Sequence, residues 1–410
     1  MRSNYKRLGD YIQEVNIRNK DLNDYPLMGV SIQKALMPSI ANIIGTDMST
    51  YKLIKKNQFA YGPVTSRNGD KISIAIAEKY ENALLSQAYT VFEVVDKNEL
   101  YPEYLMMWFK RPEFDRYARF MSHGSAREIF SWAEMCDTLL PIPSPEKQLE
   151  IVREYNVIQN RIKLNNLLIA KLGETAQAIY KQWFVDFEFP HENGLPYKSN
   201  GGVMVESVLG EIPKEWSITS IKDFCLDMKN GATPSRGKLE YWFPCTIPWV
   251  KTGEICNNIL IEAEEYISEL GYKKSSTKIL PENSVLMAMY GATAGQVSFL
   301  KFQASTNQAC CAMICDSVDK AALLYFHLIK NQKEIANLAN GGAQPNLSKA
   351  IIETLLICNP SVKILQESPL RTVIENLEIA TRQNNIYKKI ELLLFARMTN
   401  LELEKEFSTY

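Results

Sequence analysis

The chain has 410 residues, and at roughly 100 to 200 residues per domain this length predicts two to four domains. Hydrophobic residues make up 46% and charged residues 23%, which excludes disordered, collagen-like and purely coiled-coil chains, and no window approaches the run of about 18 apolar residues that a transmembrane helix needs. The net charge is −1, from 46 lysines and arginines against 47 aspartates and glutamates, so any nucleic-acid binding must come from local patches.

The first part of the chain, residues 1–144, is predicted to be a globular unit of mixed secondary structure. Residues 71–77 and 89–95 are short apolar runs with β-branched or aromatic side chains, a composition typical of strands. Residues 101–117 predict a helix packed against them. A strand-like Leu-Leu-Pro-Ile-Pro run at residues 139–143 closes the unit.

A long helix is predicted over residues 145–187. It has a good start at Pro145, and its seam runs for about 33 residues, or roughly 50 Å at 1.5 Å per residue. Steps of four and three residues place mostly apolar side chains on one seam, which favours helix pairing. These positions are Ile151, Tyr155, Ile158, Ile162, Asn165, Ile169, Leu172, Ala176, Ile179 and Trp183. The pair Asn165-Asn166 either lies in the seam and fixes its register or faces solvent.

Residues 188–215 are rich in glycine and proline and predict a linker or extended connection. A second globular unit is predicted over 216–361, with strands at 284–290 and 308–315 and a helix at 320–338. A second long helix is predicted over 362–410, with a start that Pro369 delays. Its less regular seam comprises Leu370, Val373, Leu377, Ala380, Asn384, Tyr387, Leu394, Met398 and Leu401.

The two halves of the chain repeat one another. Residues 124–127 (Gly-Ser-Ala-Arg) match 341–344 (Gly-Gly-Ala-Gln), and similar matches join 86–88 to 307–309, 61–62 to 290–291 and 8–11 to 221–224. Four matches in one order make chance the weaker explanation. Two similar helices at matching positions would most simply pair with each other, which predicts a pseudo-twofold α+β protein. The candidates for helix pairing and partner binding are Ile158, Ile162, Asn165, Ile169, Leu172, Ile179, Trp183, Phe184, Leu377, Asn384, Tyr387 and Leu394.

Motifs for chemistry are missing from the sequence. There is no Gly-x-x-x-x-Gly-Lys-Ser/Thr loop for nucleotides, no Gly-x-Gly-x-x-Gly after a strand, no Gly-x-Ser-x-Gly elbow and no Asn/Asp-Pro-Pro-aromatic loop of an amino-methyltransferase. The eight cysteines include no Cys-x-x-Cys and the three histidines are scattered, so we expect no metal site. With no signal-peptide pattern, we expect free thiols in the cytoplasm. We therefore predict no catalytic residues and no cofactor in this chain.

Polar, glycine-containing segments recur at comparable places in both units and suit DNA. Arginine pairs with guanine and glutamine or asparagine with adenine, while serine, threonine and lysine suit phosphates. In the first unit the candidates are Thr65, Ser66, Arg67, Asn68, Lys71, Gln87, His123, Ser125 and Arg127. In the second unit they are Lys229, Thr233, Ser235, Arg236, Lys238, Lys251, Tyr290, Thr293, Asn307, Gln308, Gln344 and Asn346. Taken singly, each could equally be a solvated turn residue.

Three stretches carry a family resemblance. They are residues 178–188 (Ala-Ile-Tyr-Lys-Gln-Trp-Phe-Val-Asp-Phe-Glu), residues 231–236 (Gly-Ala-Thr-Pro-Ser-Arg) continuing to 247–255, and residues 143–148 (Pro-Ser-Pro-Glu-Lys-Gln). With these stretches the chain resembles the specificity subunit of a type I restriction-modification system over essentially its whole length. The first unit departs from the pattern in lacking the Gly-x-Thr-Pro opening, and the second helix has a degenerate start.

This resemblance implies two target-recognition domains that each read half of a split double-stranded DNA target, with the two long helices paired antiparallel between them. It also implies two modification subunits, which bind S-adenosylmethionine and methylate adenine at N6, and restriction subunits, which use ATP and magnesium. The subunit itself would perform no catalysis and contact no membrane. The alternatives are a standalone DNA methyltransferase or nuclease, which should be active alone, and a scaffold protein that does not read DNA.

Overall fold

The computed structural model describes residues 5–66, 68–124, 127–191, 194–339 and 346–399. The chain divides into two compact units: unit 1 is Met1–Arg161 with Tyr387–Tyr410, and unit 2 is Ile162–Ile386. The unit boundaries fall inside both long helices, which the sequence analysis placed outside the globular units. Each half of a long helix belongs to the unit whose core its apolar face covers. Within the described residues, no helix has the length and hydropathy needed to cross a membrane.

Unit 1 contains two small sheets, a strand pair and several helices. Its strands are β1 (Tyr5–Arg7), β2 (Ile12–Val15), β3 (Leu27–Val30), β4 (Leu36–Pro38), β5 (Lys52–Lys55), β6 (Phe59–Tyr61), β7 (Ile74–Ile76), β8 (Asn82–Leu85), β9 (Thr90–Val94) and β10 (Leu139–Pro141). Its helices are α1 (Pro102–Lys110), α2 (Pro112–Phe120), α3 (Trp132–Cys136) and the first part of α4 (Pro145–Phe184). The strand orders are β2-β9-β6-β7 and β4-β3-β8-β5, and β1 pairs with β10.

Unit 2 continues from α4. Its strands are β11 (Met204–Ser207), β12 (Gly210–Pro213), β13 (Ser217–Ser220), β14 (Asp227–Asn230), β15 (Ile247–Val250), β16 (Asn258–Leu260), β17 (Glu265–Ile267), β18 (Val285–Ala288), β19 (Val297–Leu300), β20 (Ser305–Thr306), β21 (Cys310–Ile314) and β22 (Leu356–Asn359). Its helices are α5 (Ile221–Phe224), α6 (Glu269–Lys273), α7 (Val318–Lys330), α8 (Gln332–Asn337), α9 (Lys349–Thr354), α10 (Val362–Glu367) and most of α11 (Leu370–Arg397).

The two units share one topology. Antiparallel β1 and β10 of unit 1 correspond to β13 and β22 of unit 2, and the sheet β2-β9-β6-β7 corresponds to β14-β21-β18-β19, to which unit 2 adds β16. In the second sheet, β3 pairs antiparallel with β4 and parallel with β8, just as β15 does with β17 and β20. A parallel pair at the same place in two sheets is a specific shared feature, so the structure supports the repeat found in the sequence.

The core of unit 1 is aromatic. The Phe59 and Phe92 rings stack with centroids 4.9 Å apart, and the Phe109 ring meets Phe59 edge-on at 5.9 Å. The helix predicted over residues 101–117 is two helices, α1 and α2. The break falls at Arg111 because the following Pro112 disfavours helical backbone at the residue before it.

The core of unit 2 is built around α7, in which residues 321–328 are all buried. Its one histidine, His327, is hydrogen-bonded through Nδ1 to the hydroxyl of Tyr180 on α4, with the two atoms 2.8 Å apart. Burial lowers the pKa of His327 to about 4, so the imidazole is neutral at physiological pH. This contact is one way in which α4 belongs to the core of unit 2.

The long helices differ in detail from the prediction. α4 begins at Pro145 as predicted and has 40 residues, so it ends at Phe184, slightly before the predicted end at residue 187. The second helix is two segments, α10 and α11, because Pro369 lies between them and cannot continue a helix. Of the predicted second seam, Leu401 lies outside the described residues.

The two long helices contact one another in each unit, and they run antiparallel. In unit 1 the Tyr155 and Phe395 rings stack at 5.9 Å, and Gln159 Nε2 donates a 2.9 Å hydrogen bond to Glu391. The predicted seam residues Ile158 and Leu394 lie in this core, and Tyr387 is half-buried. In unit 2 the predicted residues Leu377 and Phe184 are buried, and the others are partly buried: Ile162, Asn165, Ile169, Leu172, Ile179 and Trp183.

The segment predicted as a linker is folded into unit 2. β11 and β12 form a hairpin, and the Phe189 ring stacks on Tyr197 at 4.7 Å and on Trp216 at 5.2 Å. These three aromatic side chains are buried in the core of unit 2. Glycine and proline therefore mark tight turns in this segment, such as Gly201 with φ of 84°, and not an extended connection.

Candidate nucleic-acid interface

Three polar segments of unit 2 converge at the backbone carbonyl of Thr306. The Ala232 amide donates to this oxygen at 2.9 Å, and the Thr277 hydroxyl donates to it at 3.0 Å. A Cβ on Gly231 would lie 2.0 Å from the same oxygen, so only glycine permits the approach. Segments 231–238, 273–278 and 305–308 are thereby held side by side.

Two predicted DNA-contacting residues meet in this cluster. The Thr233 hydroxyl donates a 2.6 Å hydrogen bond to the side-chain oxygen of Gln308, and both side chains are exposed. With its oxygen engaged, the Gln308 amide group is oriented before any ligand arrives. Such preorganisation reduces the entropy lost on binding.

Arg236 and Lys251, both predicted to contact DNA, are engaged by side chains of the protein itself. The Arg236 guanidinium lies 3.8 Å from the centre of the Trp242 ring, and its Nη1 lies 2.6 Å from Glu265. Lys251 Nζ lies 2.9 Å from Glu265 and 3.1 Å from Glu264. The hydrogen bond from Arg236 holds the pKa of Glu265 below its usual value, with Lys251 adding to the effect. Both cations therefore stabilise the loops, and Glu264 and Glu265 offset part of their charge.

Several other predicted residues of unit 2 are also engaged. Asn307 Nδ2 donates to the Thr252 hydroxyl at 3.2 Å, and Asn307 Oδ1 accepts from the Cys310 thiol. Lys229 pairs with Asp227 at 3.2 Å. Asn307 is thus a structural link beneath the loops. The remaining predicted residues with exposed or half-exposed side chains are Ser235, Lys238, Tyr290, Thr293 and Asn346, of which Tyr290 and Asn346 form a backbone bridge.

The segment 273–278 was not among the residues predicted to contact DNA. Lys273, Lys274 and Lys278 are exposed, and the segment is tied to Thr306 through Thr277. The signal was present as a Lys-Lys-Ser-Ser-Thr-Lys run, a basic and hydroxyl-rich pattern that suits phosphate contacts. The matching motifs of the two halves do not include this run.

In unit 1 two predicted loops are held together by Thr65. Its hydroxyl donates a 2.9 Å hydrogen bond to Ser122, and its amide donates to the Glu128 carbonyl at 2.9 Å. Thr65 is buried, so it links the loops and is not available to DNA, contrary to the prediction. Val64 and Ile129 form a backbone bridge beside it. The structure thereby brings the loops around residues 62–71 and 122–129 into one surface.

The other predicted residues of unit 1 are accessible. Ser66, Lys71, Gln87, His123 and Arg127 are exposed, and Asn68 is half-buried. Gly124 has φ of 137°, and a Cβ there would lie 2.1 Å from the Arg127 carbonyl oxygen, so glycine is required for this loop. Three predicted residues, Arg67, Ser125 and Gln344, lie outside the described residues.

The described parts of both units contain no cluster of three or more histidine, cysteine, aspartate or glutamate side chains that could hold a metal ion. All eight cysteines are free. Burial raises the pKa of Cys311 to about 12, which keeps this thiol protonated and unreactive. The described loop surfaces present hydrogen-bonding and cationic groups.

Comparison with known proteins shows which family this chain resembles. The type I restriction modification DNA specificity domain family matches residues 213–397. The MjaIX specificity subunit of Methanocaldococcus jannaschii is 27% identical over 76% of this chain and 72% of its own length. The HindI specificity subunit of Haemophilus influenzae is 23% identical over 97% of this chain and 98% of its own. Residues 213–397 thus match this specificity domain, and the whole chain is similar to specificity subunits of type I restriction-modification systems.

A solved structure shares the fold of this chain. The S subunit of the type I restriction-modification system from M. genitalium has a TM-score of 0.55 with it at 12% identity, covering 96% of this chain and 95% of the other. The structural similarity confirms the predicted α+β fold. The family model and the curated relatives confirm the predicted likeness to DNA specificity subunits.

Proposed function

We propose that this specificity subunit reads a split double-stranded DNA target, one half-site through each unit. The observation that carries the proposal is the repetition of one topology with different loop chemistry. Unit 1 exposes Arg127 and His123 in its loops. Unit 2, which has an equivalent topology, exposes Thr233 and Gln308 instead. Two copies of one scaffold with different exposed side chains suit two different half-site sequences.

Base readout would fall to the exposed residues with the right hydrogen-bonding groups. Arg127 would pair with guanine and Gln308 with adenine, each through two hydrogen bonds. Phosphate contacts would come from the exposed lysines of each surface: Lys71 in unit 1, and Lys238, Lys273, Lys274 and Lys278 in unit 2. Because the whole chain has a net charge of −1, DNA binding by this subunit alone should be weak and should strengthen with partner subunits.

The partners would be two modification subunits and the restriction subunits of the same system. S-adenosylmethionine would bind to the modification subunits, which methylate adenine at N6, and ATP and magnesium would serve the restriction subunits. We place the modification subunits on the paired helices and the units beside them, and the assembled complex in the cytoplasm. The resemblance of residues 143–148 and 178–188 to the family pattern supports this arrangement.

The paired helices would set the length of DNA between the half-sites. The 40 residues of α4 correspond to about 60 Å at 1.5 Å per residue. One turn of DNA is about 34 Å, so a helix of this length can bridge successive major grooves. A change of helix length by one or two turns should therefore change the spacer and leave both half-sites intact.

The deciding experiment maps methylated adenines across the genome in cells with and without this gene. We expect one split motif to disappear with the gene. In cells carrying Arg127→Ala only one half of the motif should relax, and in cells carrying Gln308→Ala only the other half. Glu103→Ala, an exposed change on α1, is the matched control and should preserve the motif. A continuous motif, or two variants that relax the same half, would contradict the proposal.

A further inference from the structure

Unit 2 presents two large apolar side chains to solvent beside the candidate DNA surface. Leu239 is 76% exposed and Phe243 is 69% exposed. The Phe243 amide donates to the Leu239 carbonyl at 3.0 Å, so the two residues lie on one turn of backbone. They follow directly on the segment 231–238, whose Thr233 contacts Gln308.

The turn that carries them is firmly held. The Ser268 amide donates to the Tyr241 carbonyl at 2.9 Å, and the Ser268 hydroxyl donates to the Glu240 carbonyl at 2.6 Å. A Cβ on Gly271 would lie 2.2 Å from the Tyr241 oxygen, so α6 lies closely against the turn. The two side chains are therefore exposed on a loop whose backbone is held in place by these contacts.

The turn also has an inward side, which is packed. The Trp242 ring meets the Trp249 ring edge-on at 5.2 Å, and Trp242 Nε1 donates to the Ser235 carbonyl at 3.1 Å. Trp249 is buried, so this side of the turn is anchored in unit 2. Leu239 and Phe243 in the same turn are not packed in this way, and each exposes apolar surface to water at a cost in free energy.

Lysine residues lie in the segments next to the exposed pair. Lys238 immediately precedes Leu239, and Lys273 and Lys274 are exposed at the end of α6, the helix that packs against the turn. None of these three lysines forms an ion pair with any residue that the structure describes, whereas Arg236 and Lys251 nearby are paired. Lys238 Nζ does donate a 3.2 Å hydrogen bond to the Tyr241 hydroxyl. An apolar projection beside cations that lack a carboxylate partner among the described residues complements a polyanion with an apolar interior, which is a description of stacked duplex DNA.

We propose that Leu239 and Phe243 form a wedge that enters between base pairs of the half-site read by unit 2. Apolar side chains inserted at a base step unstack it and kink the duplex, and pyrimidine–purine steps yield most readily. The wedge selects sequence through the deformability of that step, in addition to direct contacts such as that of Gln308. This inference rests on the proposed function and adds a second mode of reading to it.

The test uses the complex of this subunit with its modification subunits and duplexes that carry the mapped target. The fluorescent base 2-aminopurine is placed in turn at each position of both half-sites. With the wild-type complex we expect fluorescence to rise several-fold at one step of one half-site, because the base there loses its stacking partner. Leu239→Ala/Phe243→Ala should abolish that rise and bind the target about tenfold more weakly, with unchanged thermal stability.

Leu226→Ala is the matched control, because Leu226 is 72% exposed in the same unit and immediately precedes β14. It should keep both the fluorescence rise and the affinity. The wedge is excluded if no position responds in the wild-type complex, or if the double variant responds like the wild type. It is also excluded if the double variant fails to assemble with the modification subunits in the absence of DNA, which would make the pair a protein contact.

Failure of the wedge and failure of the proposed function are distinguishable in the same assay. If the wild-type complex does not bind the split target in preference to a scrambled duplex, the proposed function fails. If it binds the target selectively and no step unstacks, only the wedge fails. A second double variant, Leu239→Ser/Phe243→Ser, checks that the result does not depend on one choice of replacement.

Discussion

The side-chain amide of Asn384 on α11 donates a 2.8 Å hydrogen bond to the side-chain oxygen of Asn166 on α4. Asn384 is buried, and its own Oδ1 accepts no hydrogen bond from any residue that the structure describes. A buried polar atom without a partner lowers stability. Alternative registers of the two helices would bury the same amide without even the Asn166 contact, so the pair favours one register at a cost in stability.

Replacement of Asn384 by leucine should therefore stabilise the protein. We expect Asn384→Leu to raise the free energy of unfolding by about 1 kcal/mol, because the unsatisfied oxygen is replaced by apolar volume in an apolar seam. Asn384→Asp should lower it by about 2 kcal/mol, because a carboxylate is costly to bury. Urea denaturation at pH 7 measures both changes. Asn165→Ala is the control, and a loss of stability in Asn384→Leu would contradict the explanation.

Within unit 2, a buried ion pair joins Lys301, the residue after β19, to Glu378 on α11. Lys301 Nζ lies 3.0 Å from Glu378, and its side chain is almost fully buried. Lys301→Met should lower the free energy of unfolding by about 1 kcal/mol, because Glu378 loses one cation in a poorly solvated site but keeps its 2.8 Å ion pair with Arg382. The double variant Lys301→Met/Glu378→Leu should recover most of that loss. Equal stability of the single and double variants in urea would show that the pair contributes through packing alone.

The approach of segment 231–238 to Thr306 depends on one glycine. Gly231→Ala should lower the free energy of unfolding by about 2 kcal/mol, because its Cβ would overlap the Thr306 carbonyl oxygen and separate the converging segments. Gly237→Ala is the matched control, since a Cβ at Gly237 meets nothing within 4 Å. Methylation mapping should show the unit 2 half-site degraded by Gly231→Ala alone. Intact recognition in a destabilised Gly231→Ala protein would mean that the convergence is dispensable.

The stability of unit 2 should fall in acid because of His327. The folded-state pKa of about 4 lies below the ordinary value of 6.5, since burial disfavours the imidazolium. The contribution of the neutral imidazole to the free energy of unfolding is fully present above pH 6.5. As the pH falls from 6.5 to 4, the free energy of unfolding should decrease by about 3 kcal/mol. Thermal or urea unfolding across this range should show a shallower pH dependence for His327→Gln than for wild type. The exposed His123, changed to Gln, serves as the control, and an identical pH dependence for His327→Gln would refute the assignment.

The sequence predicted much of the framework because its signals are local or periodic. The seam from Ile151 to Trp183 and the start at Pro145 predict α4, and Pro369 predicts the break before α11. Matching motifs predicted two related units, which the shared strand orders support. Residues 188–215 show the limit of composition: glycine and proline indicate turns but do not reveal whether the aromatic residues between them are buried.

The sequence by itself determined the repeat, the two long helices and the family, because apolar periodicity and short motifs survive in the linear order of residues. Only the tertiary structure decided which polar side chains remain available. Arg236 and Gln308 are equally polar in the sequence, yet Trp242 and Glu265 engage the first while Thr233 only orients the second. Glu265 lies 29 residues from Arg236 along the chain, and Gln308 lies 75 residues from Thr233, so no local pattern could have identified these pairings.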